Sequence, residues 1–217
     1  ITQAIASAIV RAYREHDGDI LAFLPGQAEI IRCEEMLKGA FTTEWNDNVG
    51  ANLPITTSRY PLYGNLPQEQ QRAAIAPSRK GERKIVLATP IAETSLTIDG
   101  VRVVVDSGLC RQLVYEASTD LSHLETVTIS QDMATQRMGR AGRLAEGTCY
   151  RLWTLASQHQ MQEQRKPEIE EADLSSLARA IAAFGESDVL SLPWLTPPPT
   201  GHIMQAVKTL KALGAIS

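Results

Sequence analysis

Several absences narrow the possibilities. Cysteine is scarce: Cys33, Cys110 and Cys149 are widely spaced and form no Cys-x-x-Cys pair, which leaves buried or free thiols in a reducing compartment. His16, His123, His159 and His202 show no metal-ligand spacing and read as surface or capping residues, so no metal site is expected. The longest apolar runs, such as 85–88 and 103–105, are strand-sized, far short of the roughly 20 residues of a membrane helix. No targeting segment is visible, and the chain opens at Ile1 within a helical pattern, as a piece excised from a longer cytoplasmic protein would. A basic excess is missing too. The 21 lysines and arginines face 25 acidic residues, for a net charge of −4, which argues against a free-standing electrostatic binder of nucleic acid but permits a groove of backbone amides and hydroxyls. Finally, there is no Gly-x-x-x-x-Gly-Lys-Ser/Thr segment and no Asp-Glu dipeptide. Without a phosphate-cradling loop or an Mg²⁺-binding acidic pair, the chain alone is not expected to hydrolyse a nucleoside triphosphate.

What is present is an ordinary globular composition, 43% hydrophobic and 21% charged over 217 residues, enough for one sizeable domain and a small appendage. Apolar residues at steps of three and four predict helices over 1–16 and 27–40, the latter with Ile30, Cys33 and Leu37 inward. A short helix over 66–76 opens at Pro67. Val/Ile-rich runs bounded by turn residues predict strands over 19–24, 53–63, 84–88, 101–106 and 147–153, and the polar stretch 42–52 reads as a loop. Alternation over 111–115 and 123–129, joined by a polar turn, predicts a hairpin, and a helix is expected over 131–139. Strands alternating with helices imply a mainly parallel sheet covered on both faces, with ligands beyond its carboxyl ends, after Leu24, Ala88 and Asp106. The composition changes near residue 156. Residues 158–171 read as a polar connector, Leu174, Leu177, Ile181 and Phe184 mark an amphipathic helix closed by Gly185, and Ile203, Val207 and Leu210 mark another. The expected division is therefore 1–156 and 157–217, the second part a truncated helical module.

Two segments carry chemistry. In Gln136-Arg137-Met138-Gly139-Arg140-Ala141-Gly142-Arg143, three arginines share seven residues with two glycines. If helical spacing persists, Gln136, Arg140 and Arg143 lie on one side and Arg137 points elsewhere. The glycines leave room for a second surface, and planar, permanently charged guanidinium forks suit a polyphosphate. The bland alternative is a surface helix with solvated arginines. The stretch from Ala88 to Gly100 presents Thr89, Thr94, Ser95 and Thr97 as hydroxyl donors, while Asp99 suits a ribose hydroxyl or a metal-bound water. Its bland alternative is a Ser/Thr-rich capping loop.

These segments resemble two sequence motifs of the DEAH-box (DEAH/RHA) ATP-dependent helicases, whose usual forms are Ala-Thr-Asn-Ile-Ala-Glu-Thr-Ser-Leu-Thr-Ile-Asp-Gly and Gln-Arg-x-Gly-Arg-Ala-Gly-Arg. Three further stretches match in family order: Ile20 through Gly26, Pro61-Leu62-Tyr63-Gly64-Asn65-Leu66-Pro67, and Val104-Val105-Asp106-Ser107-Gly108. The tail around Leu192-Pro193-Trp194 is similar to the start of the family's winged-helix region. The resemblance implies a second RecA-like domain of the P-loop-NTPase fold: a mainly parallel sheet flanked by helices, with a β-hairpin insertion and a small C-terminal helical segment. It implies ATP with Mg²⁺, bound mainly by a preceding RecA-like domain of the same protein, and single-stranded RNA or DNA as partner. By the same resemblance Arg140 and Arg143 are arginine fingers and Gln136 contacts the phosphates. Ser95, Thr97, Asp99 and Ile75 face the nucleotide; Thr89, Gly26 and Thr94 touch the nucleic-acid backbone. Pro90 departs from the family's usual Asn, removing a side-chain amide and a backbone N–H. Ile75 stands where eukaryotic relatives carry a stacking Phe, which implies weak base selectivity.

Two other classes compete. An inert nucleic-acid-binding or adaptor module on the same fold would not need the arginine octet. A Rossmann oxidoreductase would need a third glycine at its spacing and a strand, rather than a helix, before Gly139.

Overall fold

The computed structural model describes residues 1–38, 40, 56–93, 97–116, 119, 121–143, 146–186 and 188–216. The expected loop at 42–52 and the start of the strand expected over 53–63 lie outside them, as do Thr94 and Ser95. The described residues form two compact units, Ile1–Arg111 with Thr126–Arg165, and Gln112–Glu125 with Lys166–Ser217.

The first unit is a five-stranded parallel sheet in the order β2-β3-β1-β4-β7. Its strands are β1 (Asp19–Phe23), β2 (Thr56–Leu62), β3 (Glu82–Ala88), β4 (Val101–Asp106) and β7 (Thr148–Arg151). All of β1 and nearly all of β4 are buried, as required of central strands covered on both faces. Alternate residues divide between two cores. Ile20, Ala22, Ile85, Leu87, Val103 and Val105 pack with Ile5, Ile9 and Ala12 of α1 (Thr2–Glu15) and with Ile30, Cys33 and Leu37 of α2 (Gln27–Lys38). Leu21, Phe23, Val86, Ala88 and Val104 pack with Leu62, Ala92, Ile98, Ala141 and Ala74 of α3 (Gln68–Ile75). The edges β2 and β7 are only partly buried. Pro61 is tolerated in β2 because an edge strand has a side that needs no ladder donor.

All three cysteines are free. Burial raises the Cys33 thiol to about 12 and Cys149 to about 11, and raises Cys110 as well. All three are therefore protonated, unreactive packing residues near neutral pH.

The first unit extends beyond the boundary expected at residue 156. The supposed connector takes in the end of α5 (Leu155–Gln160), and Met161 is buried with Cys110, Ile129, Met133 and Ala134. Its polar surface hid this apolar anchor and, in the second unit, Ile169. Two strands, β5 (Leu109–Glu116) and β6 (Leu121–Thr128), pair as the expected hairpin. Gly108, at φ +73, makes the turn into it, and a Cβ there would stand 2.8 Å from Trp153 Cε3.

The second unit has its own core of Leu174, Ala178, Ile181, Val189, Ile203, Ala206 and Leu210. It contains α6 (Glu168–Glu171), α7 (Ser175–Ala183) and α8 (Thr200–Ala212). Tyr115 meets His202 edge-on at 5.4 Å between ring centroids, and Gln112 donates to Glu171. One expectation fails here. Phe184 is 92% exposed, because α7 ends at Ala183 and Gly185, at φ +84, turns the chain away before the periodicity can bring the ring inward. Among the described residues no helix is long and apolar enough to cross a membrane.

Candidate functional site on two loops

Three strands deliver the loops of interest side by side. Ala88, Phe23 and Asp106, the last residues of β3, β1 and β4, are in register. The loop after β3 opens with Thr89, whose N–H donates to the Leu62 carbonyl at 3.0 Å. Pro90 then begins a short 3₁₀ turn, Pro90–Ala92. At that position its missing N–H costs little. Gly26, after β1, is buried, and a Cβ there would lie 2.8 Å from Arg111 Nε. Gly26 and Thr89 therefore mark the carboxyl end of the sheet.

The loop does not stay there. Gly100 closes it at φ +88, and its carbonyl accepts the N–H of Asp19, the first residue of β1. Asp99 thus sits at the opposite end of the sheet, the length of β1 away, roughly 15 Å at 3.3 Å per residue. That end is organised by Asp19, which takes the Lys84 N–H at 2.7 Å and the Ser78 hydroxyl at 2.5 Å. Lys84 Nζ donates to the Ala74 carbonyl at 2.9 Å and also to that of Ala76, pinning the end of α3, where half-buried Ile75 sits. Burial lowers the Lys84 pKa, opposed by Asp19, Glu82 and Asp99. Gly26 and Thr89 lie beyond the carboxyl ends, where ligands are expected, and Asp99 does not. The candidate residues divide between both ends because one loop runs the depth of the sheet.

The octet divides as well. Helix α4 (Gln131–Met138) stops before Arg140, so the helical spacing that would align Gln136, Arg140 and Arg143 does not persist. Gln136 is exposed and Arg140 is only 8% exposed. Arg137 is completely buried. Its Nε donates to Glu93 Oε2 at 3.2 Å, its Nη1 to Asp106 Oδ1 at 2.8 Å and to the Leu109 carbonyl at 3.3 Å. Its guanidinium lies 4.9 Å from the Phe23 ring centroid. Asp106 also accepts the Gly108 N–H at 2.9 Å. Burial raises its pKa, with Arg137 and that N–H pulling it down. Arg165 completes the network, its Nη2 2.5 Å from Glu93 Oε1. Sequence reasoning missed Glu93, Asp106 and Arg165 as a set. Their separations from their partners, 44, 31 and 72 residues, leave no local pattern.

Arg140 Nη2 donates to the Glu93 carbonyl. Its pKa is lowered, first by burial and then by the charge of Arg143, with Glu93 opposing. Arg143 is exposed and donates to Thr97 Oγ1 at 2.6 Å. Arg143 and Thr97 therefore present an open cation and hydroxyl, and Asp99, two residues further on, is exposed as well. Two arginines close enough for one to depress the other mark a place where an anion is favoured. Among the described residues, no group of three or more His, Cys, Asp or Glu is arranged to hold a metal ion.

Residues 3–145 match the family described as Helicase conserved C-terminal domain. The chain is 39% identical over 213 residues to the ATP-dependent RNA helicase HrpB of Escherichia coli strain K12, covering 98% of this chain and 25% of that protein. Among solved structures it is similar to that of the E. coli DEAH/RHA helicase HrpB, with TM-score 0.89 and 39% identity over 100% of this chain and 26% of that one. It is also similar to the E. coli DExH-box NTPase HrpB structure, with TM-score 0.86 and 39% identity over 100% of this chain and 25% of that one. The chain thus spans about a quarter of the relatives it matches.

Proposed function

Because this chain belongs to the helicase conserved C-terminal domain family, we propose that it is the second motor domain of an ATP-dependent RNA helicase of the DEAH/RHA type. The observation that carries this reading is Arg143, exposed and aimed by Thr97 at 2.6 Å, with Arg140 close enough that the two charges interact. An open guanidinium, a hydroxyl, a carboxylate and the apolar wall of Ile75 are the donor set that triphosphate, ribose and base require. In this reading ATP rests mainly on a P-loop domain elsewhere in the full-length protein, together with Mg²⁺.

ATP supplies the γ-phosphoryl group whose negative charge must be neutralised during transfer. Arg140 and Arg143 bring positive charge to that group from across a cleft, and Gln136 contacts the phosphates. Thr97, Asp99 and Ser95 contact or sense the nucleotide. Ile75 lines the base with no π face, so base selectivity is weak. At the other end of the sheet, Thr89 and Gly26 meet the backbone of a single strand, Thr94 is assigned to the same strand by resemblance alone, and the β5–β6 hairpin acts near strand separation. Closing and opening the cleft steps the protein along that strand. The grip is mostly to phosphates, hence sequence-independent and salt-sensitive. A cytoplasmic location belongs to the same reading.

The test is ATP turnover by the full-length protein with single-stranded RNA and DNA compared. RNA is expected to raise the rate more than DNA, and the stimulation to weaken as salt rises. A rate indifferent to both strands would favour the inert adaptor.

A further inference from the structure

Glu93 is held on every acceptor it has. Its Oε2 takes Arg137 Nε and its carbonyl takes Arg140 Nη2, both from the octet, while its Oε1 takes Arg165 Nη2. Arg165 ends a segment, residues 161–165, that also grips α4, the helix that carries the first three residues of the octet. The N–H of Gln131 donates to the Gln162 carbonyl at 2.8 Å, and the N–H of Asp132 to the Glu163 carbonyl at 3.1 Å. The Gln131 side chain donates to the Met161 carbonyl at 3.1 Å. These bonds satisfy amides that the first turn of a helix leaves unpaired. They stand in for a side-chain cap, since Ser130 makes no such bond and its Oγ is buried without a partner. Met161 anchors the segment among Cys110, Ile129, Met133 and Ala134.

We propose that Arg165 is a positioning residue for Arg140 and Arg143, and that residues 161–165 are a strap holding α4 and the loop after β3 in one fixed relation. The proposal rests on the helicase reading and names a residue outside its motifs. Among the described residues Arg165 bonds to Glu93 and to none assigned to the nucleotide, so it acts through Glu93. Glu93 is 2% exposed, so losing one of its two ion-pair partners leaves a buried carboxylate under-compensated. The loop must then shift to hydrate it, carrying the Arg140 anchor and Thr97 along. The Arg165 side chain is 52% exposed, so its charge can be removed without opening a cavity.

The experiment is steady-state, RNA-stimulated ATP turnover of the full-length protein, with thermal unfolding measured in parallel. Arg165→Ala is expected to lower kcat roughly tenfold while KM for ATP stays within about twofold, the signature of lost transition-state alignment. Arg165→Lys, which keeps a charge beside Glu93, is expected to recover most of the loss. In a Glu93→Gln background, Arg165→Ala is expected to have no further effect on kcat. A normal kcat in Arg165→Ala, with or without a lower Tm, while Arg143→Ala is inactive, would overturn the proposal and leave the helicase reading standing. Normal kcat in both variants would overturn the two together.

Discussion

Arg143→Ala in the full-length protein is expected to cut RNA-stimulated ATP turnover by about 10³-fold or more, within the ~10³–10⁵ range for an arginine brought to a transferring phosphoryl group. The chain should fold as before. Arg143 is exposed and its side chain donates to the Thr97 hydroxyl, so thermal unfolding is expected to be nearly unchanged. Because its interaction strengthens as charge develops on the phosphoryl oxygens, the loss should fall on kcat. Arg143→Lys should remain well below wild type, since an ammonium lacks the planar fork. Stopped-flow phosphate release, with nucleotide binding followed separately, would separate these effects. Loss of binding with intact kcat would assign Arg143 to ground-state affinity.

The second large effect falls on stability. Arg137→Ala removes a fully buried guanidinium from between two carboxylates that are themselves almost inaccessible. Breaking a buried ion pair by deleting one partner costs about 3–5 kcal/mol. For a chain of this size that corresponds to a Tm lower by on the order of 10 °C. Lysine should rescue poorly, because one ammonium cannot reach Glu93, Asp106 and the Leu109 carbonyl in the geometry that Nε and Nη1 now hold. Calorimetry of the chain checks this. Arg137→Ala and Arg143→Ala should exchange their effects: one unfolds early, the other folds normally and fails in catalysis. Two arginines of one motif would then have unrelated tasks.

That separation marks the limit of what the sequence reveals. The parallel sheet is legible because β1, β3 and β4 carry unbroken Val, Ile and Leu runs between turn residues, and α2 places Ile30, Cys33 and Leu37 at helical steps. The arginine octet is equally legible as a motif. The fate of each arginine is not, because it depends on where α4 ends. Past Met138 helical periodicity no longer assigns faces, and Arg140 tucks against Glu93 while Gln136, inside α4, is exposed. Phe184 shows the same failure at the end of α7. The counter-ions Glu93, Asp106 and Arg165 come from a loop, a strand end and the segment after α5. Only tertiary folding unites them. Likewise, spacing places Thr89 and Asp99 in one loop but does not tell that the loop crosses the sheet from one end to the other.

The most direct measurement is a structure of the full-length protein trapped with RNA and ADP–aluminium fluoride, a mimic of the phosphoryl group in flight. The account predicts that the guanidinium groups of Arg140 and Arg143 both point into the cleft and lie within hydrogen-bonding distance of the fluoride or phosphate oxygens, while Arg137 remains buried between Glu93 and Asp106. Arg143 still bonded to Thr97 and facing bulk water, with Arg140 unmoved and the mimic neutralised by other groups, would contradict it.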